Sequence, residues 1–188
     1  MRSTWWEVLF WVWIGSEVYI ALATRTRHTV GKVQDRGTQL LLWVVIVAAM
    51  TACGWIDATM GKTMFGGAHW LKTAAVVLLA AGLAIRWTAI VSLGKAFSAN
   101  VAIRETQTLK DTGLYRWVRH PSYSGLLLIF LAAGVHSRNW LGLAVAMVPT
   151  TAALLYRIHV EETALQGAFG ELYRSYSSRT KRLIPGVY

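Results

Sequence analysis

Two polar clusters stand out in a largely apolar chain of 188 residues, and their side chains are of the kinds that bind ions and move protons. The first is the segment 94–123, GKAFSANVAIRETQTLKDTGLYRWVRHPSY, which gathers Arg104, Lys110, Arg116, Arg119 and His120 with Tyr115 and Tyr123. A stretch of that length without strong disorder signals, and with several aromatics, reads as functional. The second is RIHVEE over 157–162. Within it Arg157 and Glu161 stand four residues apart and so share one face of a helix. An arginine there can hold a carboxylate bidentately, and Glu162 and His120 are types that accept a proton. The plain alternative is an interfacial ion pair worth about a few tenths of a kcal/mol. On that view Glu162 is solvated, and His120 caps a helix that opens at Pro121. Two dense clusters converging on one face favour a site.

Other chemistries find no support. The chain contains no GxGxxG or Walker sequence, so a Rossmann-type nucleotide site is not expected. The histidines at 28, 69, 120, 136 and 159 show no ligand spacing, and no metal is expected. His159 is two residues from both Arg157 and Glu161, hence on another face, and reads as structural. Cys53 is the single cysteine, in an apolar run, and reads as a packing residue.

The elements that position these clusters are membrane helices. The chain is 55% hydrophobic and 15% charged, with ten Trp, against roughly 25% charged for a soluble domain. A span requires about 20 apolar residues, and five blocks qualify, near 5–23, 39–55, 70–93, 122–135 and 140–160. The fourth is short, and the fifth contains Pro149, expected to kink it. The net charge of +10 does not indicate nucleic acid, because the basic residues lie between the blocks. There they orient the chain and meet anionic lipid. Fourteen of the 19 Lys and Arg fall in the first and third loops and the tail; four fall on the other side, and Arg86 lies inside a span. That asymmetry places the N-terminus outside and the C-terminus and both clusters in the cytoplasm. The first block lacks the order of a cleavable leader and is expected to be retained. One domain over 1–188 is expected, with two spans in 1–69 and three spans, the long loop and a C-terminal helix in 70–188.

An intramembrane Arg86 is a functional hypothesis by default, or it snorkels to the interface. Glu17 is either its partner or a second polar group on the same cavity. After the fifth span, 161–178 places Leu165, Phe169, Leu172 and Tyr176 on one stripe. Such a helix lies in the membrane interface or covers the loops. The spacing of Ala80 and Ala84 leaves the oligomeric state open.

The stretch LKDTGLYRWVRHPSYSG, followed by RIHVEETALQGAFGELYRSY and RLIPGVY, resembles the isoprenylcysteine carboxyl methyltransferase family, which is related to the phospholipid N-methyltransferases. The resemblance covers about 86–188. The apolar blocks and the stripe already lead us to expect an all-α integral membrane fold with five transmembrane helices plus a C-terminal interfacial amphipathic helix. The resemblance implies a cytoplasm-facing pocket roofed by the long loop and that helix. It also implies a non-Rossmann site for S-adenosylmethionine, with S-adenosylhomocysteine as product. Carried over by position, Asn100, Gln107, Thr108, Leu109, Lys110 and Tyr115 line the cofactor. His120, Pro121, Ser122 and Tyr123 form the core of its site, and Glu161 with Glu162 holds its polar end. Arg157 falls where the family binds the substrate carboxylate. Arg157 and Arg119 are the catalytic candidates, and Arg157 with Arg86 the substrate-binding ones. Gln107 stands where the family often has His, and the acidic run before the Glu pair is shorter than in eukaryotic members. The expected substrate is lipophilic, prenylated or a small molecule, entering from the bilayer. A lipid-amine N-methyltransferase and a non-catalytic scaffold or small-molecule carrier are the alternatives.

Overall fold

In lipid an apolar segment satisfies its own backbone by folding as a helix, and helices stand where the apolar blocks lie. The computed structural model describes residues 4–24, 31–33, 37–64, 68–97, 102–104 and 108–188. Helix α1 spans Thr4–Ala23, α2 Thr38–Thr59, α3 Trp70–Leu93, α4 Pro121–Ser137, α5 Trp140–Phe169 and α6 Glu171–Arg179. Two short strands, β1 (Gly31–Val33) and β2 (Ala102–Arg104), pair antiparallel with Lys32 opposite Ile103. Among the described residues α1, α2, α3 and α5 are long and apolar enough to cross a membrane. The 17 residues of α4 rise about 25 Å, less than a hydrocarbon core of about 30 Å.

The helix connections show which ends meet. The β1–β2 pair joins the segment after α1 to the segment after α3, and β2 lies against α5. At the other end Asn139 Nδ2 donates to the Gly61 carbonyl at 2.7 Å and Met64 N to the Arg138 carbonyl at 2.9 Å. Short as it is, α4 therefore runs from one end of the bundle to the other.

Trp13, Leu79, Leu83, Leu126, Ile129, Phe130 and Leu154 form the packed interior, with the Trp13 ring edge-on to Phe130 at 5.8 Å. Trp11, Leu22, Leu40, Val91 and Val148 point outward, exposed. Apolar faces of that extent suit a lipid surround rather than water. Between α3 and α4 the backbones nearly touch. A Cβ on Gly82 would lie 2.7 Å from the Gly125 carbonyl oxygen, and one on Gly125 would lie 2.6 Å from that of Gly82. Small residues permit this approach, which brings Arg86, one turn beyond Gly82, against the first turn of α4.

The C-terminal helix differs from the expected one. Instead of a single helix over 161–178, α5 continues through Glu161 to Phe169, and Gly170 (φ 52°) breaks it before α6. The break resets the helical phase. Leu172, placed by the sequence on the apolar stripe, is exposed, while Tyr173 and Tyr176 are buried. These two rings pack inward, and the Tyr176 hydroxyl donates to the Tyr115 carbonyl at 2.8 Å. In the structure α6 covers the loop before α4, with its apolar face already used.

Candidate active site

The RHPSY turn is built by a second chain segment laid beside it. Arg119 N donates to the Lys181 carbonyl at 2.7 Å, His120 N to the Arg182 carbonyl at 3.0 Å, and Lys181 N to the Trp117 carbonyl at 3.3 Å. Ser124 Oγ adds a bond to the Leu183 carbonyl at 2.6 Å. His120 is the residue before the helix and Pro121 its first residue, a position where the missing N–H costs nothing.

The two clusters meet here. Glu162 accepts hydrogen bonds from Arg119 Nε at 2.8 Å and from Arg182 Nε at 3.0 Å, and His120 Nε2 lies 3.3 Å from it. Arg119 also donates from Nη1 to the carbonyls of Ser177 and Thr180, so its guanidinium ties α5 to the end of α6. Glu161, the more open of the two carboxylates, accepts from the Tyr123 hydroxyl at 2.8 Å, and His120 Nδ1 is 3.7 Å away. Arg157 Nε donates to the same Tyr123 hydroxyl at 2.8 Å, and its Nη1 donates to Thr38 Oγ1 at 3.0 Å. The imidazole of His120 stacks on the Tyr123 ring, with centroids 5.5 Å apart.

Below this network lies a partly open cavity, whose empty space of about 520 Å³ includes the solvent at its mouth. Arg157, Tyr123, Arg86, Glu17 and Gln39 supply its polar wall; Leu42, Trp43, Ile46 and Leu126 supply apolar wall. Arg86 and Glu17, left as partners or separate cavity residues by the sequence, are both at once: they form a buried ion pair on the cavity wall. Arg86 also donates to Ser122 Oγ at 2.8 Å.

Tyr115 is buried beneath α6, and its hydroxyl lies 3.4 Å from the Ala89 carbonyl. Burial, reinforced by the Glu161 charge, pushes its phenol well above the ordinary value, so it stays neutral. Hydrogen bonds to Glu162 and Tyr188 push the Arg182 guanidinium up as well. Leu109 and Lys110 are half-buried and Thr108 exposed, in irregular chain leading to Tyr115. Asn100 and Gln107 lie outside the described residues. His159 is exposed, on a different face from Arg157. No group of three candidate metal ligands occurs among the described residues.

Several participants carried no local signal. Thr38, 119 residues from Arg157, is simply the first residue of an apolar helix. Arg182 belongs to the RLIPGVY motif, but only the strand-like pairing of the tail reveals its reach to Glu162. The Tyr173 hydroxyl is buried and has no hydrogen-bond partner among the described residues.

Residues 74–167 match the isoprenylcysteine carboxyl methyltransferase family. The chain belongs to that family. It is 31% identical over 120 residues to protein-S-isoprenylcysteine O-methyltransferase B of Arabidopsis thaliana, covering 63% of this chain and 61% of that protein. It is 30% identical over 146 residues to methanethiol S-methyltransferase of Pseudomonas sp. (strain GM41(2012)), covering 77% and 54%. Its fold is similar to the eukaryotic intramembrane Ras methyltransferase ICMT, with a TM-score of 0.61 and 25% identity over 77% of this chain and 52% of that one. The chain thus spans about half to three-fifths of the length of these family proteins. The matched segment contains the RHPSY turn, Arg157 and both glutamates, whereas Glu17, Thr38, Tyr173 and Arg182 fall outside it.

Proposed function

We propose that this chain is an integral membrane S-adenosylmethionine-dependent methyltransferase that O-methylates a carboxylate on a lipophilic, isoprenylcysteine-like substrate. The observation that carries the reading is Arg157. It is buried at the wall of a largely apolar cavity and is joined through one hydroxyl, that of Tyr123, to the carboxylate of Glu161. A cation among apolar walls suits an anionic head with a hydrocarbon tail.

The residues present fit the cofactor. Glu161 offers a carboxylate to an ammonium or to sugar hydroxyls. The faces of Tyr115 and Tyr123 suit a sulfonium. Tyr173 has a buried hydroxyl still without a partner among the described residues. His120, Pro121, Ser122 and Tyr123, with Thr108, Leu109 and Lys110, would complete the site, together with Asn100 and Gln107. When bound, S-adenosylmethionine supplies an electrophilic methyl carbon for in-line displacement, with S-adenosylhomocysteine as the product. Arg157 orients the acceptor carboxylate and compensates its loss of water. That carboxylate is ionised near neutral pH and requires no general base. Arg119 acts as a positioning residue, holding Glu162 and α6 in place.

A lipid amine would require a proton acceptor. Glu162 is saturated by two arginines and His120 is wedged between the two glutamates, so the geometry favours the carboxylate. The proposed topology has five spans, with α4 short, and the N-terminus outside. The basic residues of the tail and of the loops joined by β1 and β2 would then face the cytoplasm.

The test uses S-adenosylmethionine labelled in the methyl group, purified protein, host membrane extract and a farnesylcysteine analogue. Lipophilic label released by mild base as methanol is the expected result. Base-stable label would replace the carboxyl reading with an amine or thiol acceptor. A protein that binds no S-adenosylmethionine would favour the scaffold or carrier.

A further inference from the structure

Glu17 lies on α1, outside the segment that matches the family, and is buried. Its carboxylate engages Arg86 through both oxygens: Oε1 with Nε, and Oε2 with Nη2 at 2.6 Å. Trp13 Nε1 donates to the same carboxylate at 3.2 Å. The remaining edge of the guanidinium faces α4. Its Nη1 donates to Ser122 Oγ at 2.8 Å and lies 3.3 Å from the Ser122 carbonyl oxygen. The Gly82–Gly125 contact fixes the backbones on either side, so the guanidinium has one reach. A Cβ on Gly125 would lie 2.8 Å from Arg86 N.

Stability alone is a weak reason for such a pair. Burying two charges costs desolvation, and hydrophobic replacements of a buried ion pair are often as stable or more so. Charges within apolar spans mark function by default. This pair touches the first turn of α4, whose flanking side chains are His120 and Tyr123.

We propose that Glu17 and Arg86 form a positioning relay: Glu17 sets the Arg86 guanidinium, which through Ser122 sets the turn aiming His120 and Tyr123 at Glu161, Glu162 and Arg157. The relay rests on the reading of that turn as the cofactor site. It makes the first helix part of the active-site support without placing Glu17 in contact with cofactor or reacting atoms.

The test measures S-adenosylhomocysteine binding by calorimetry on purified full-length protein, together with melting temperature. E17L/R86M removes both charges and leaves none unpaired, so melting is preserved, while binding weakens about tenfold. E17D, which keeps the charge, recovers most of the affinity lost in E17Q. S122A weakens binding about fivefold on its own, but adds little to E17L/R86M because both act through one guanidinium. Wild-type affinity in E17L/R86M overturns the relay, and so does an additive loss on combining it with S122A. If E17L/R86M does not fold, the E17Q and S122A cycle decides in the same way: non-additive loss supports the relay and additive or no loss overturns it. Wild-type protein that binds no S-adenosylhomocysteine is a separate result, overturning the cofactor reading and the relay with it.

Discussion

Arg157 Nε lies 2.8 Å from the hydroxyl of Tyr123, which joins α5 to α4 across 34 residues of sequence. The same hydroxyl donates to Glu161 at 2.8 Å. One phenol thus stands between the guanidinium proposed to hold the substrate and the carboxylate proposed to hold the cofactor. Tyr123→Phe keeps the ring and its stack on His120 but deletes that oxygen. The expected loss in kcat/KM is about 30-fold, equivalent to about 2 kcal/mol for hydrogen bonds to charged groups. Steady-state kinetics with labelled methyl donor checks it, and a loss below twofold would contradict the linkage.

Arg157→Lys keeps a positive charge but loses the planar fork. If the guanidinium holds the acceptor carboxylate in two parallel bonds, lysine is a poor substitute. Carboxyl methylation is expected to fall about 100-fold while S-adenosylhomocysteine affinity changes by less than about threefold. Methyl-ester formation and calorimetry, measured on one preparation, separate the two effects. A parallel collapse of both would move Arg157 from substrate to cofactor.

What the sequence made legible follows from periodicity and what it hid follows from chain distance. The third apolar block, near 70–93, coincides with α3 because composition alone marks a long apolar helix. Arg157 and Glu161 share a helix face as their spacing requires, yet the group between them comes from another helix. The partnership of Glu17 with Arg86 spans 69 residues, and nothing local records it. The pairing of Lys181 and Arg182 beside the RHPSY turn is equally silent, since backbone bonds carry no side-chain signature. The stripe over 161–178 does not hold because Gly170, within it, takes a positive φ that ends α5 and turns Leu172 outward.

Glu162 anchors Arg119 and Arg182, and its side chain is 14% exposed. Glu162→Gln leaves both arginines facing a neutral amide. The half-buried Arg119 should suffer most, because Arg182 is more open to solvent. A destabilisation of about 2 kcal/mol is expected, read as a melting temperature lower by about 5 °C. Arg182→Ala should cost about half as much. Thermal unfolding of both variants in one detergent checks the order, and a more damaging Arg182→Ala would place the anchor on the tail instead.

Alkaline stability should depend on Tyr176. Burial pushes its phenol from 10 up to about 12, against an opposing pull from the Arg119 charge. A folded pKa above the unfolded value means stability that is complete below pH 10 and lost as pH climbs through about 12. Tyr115 and Tyr173 are shifted in the same direction. Tyr176→Phe removes the bond to the Tyr115 carbonyl, lowering stability at neutral pH, but removes one ionising phenol from the alkaline decline. Unfolding measured from pH 8 to 12 should therefore show a lower plateau and a shallower fall than wild type; an unchanged slope would exclude Tyr176 as a contributor.

Gly125→Ala tests whether the α3–α4 contact supports the site. The added methyl would lie 2.6 Å from the Gly82 carbonyl oxygen and 2.8 Å from Arg86 N, both backbone atoms that cannot rotate away. The helices must separate, at a cost of about 1–3 kcal/mol for overpacking. Separation lengthens the reach from Arg86 to Ser122 at the same time, so cofactor affinity should fall together with melting temperature. Gly54→Ala is the control: a Cβ there meets nothing within 4 Å, and the added methyl removes a helix-interior glycine. Its melting temperature should stay level or rise slightly, with S-adenosylhomocysteine binding intact. Wild-type affinity in Gly125→Ala would mean that the first turn of α4 is held by the tail at Lys181–Leu183 alone, independent of how closely α3 packs against it.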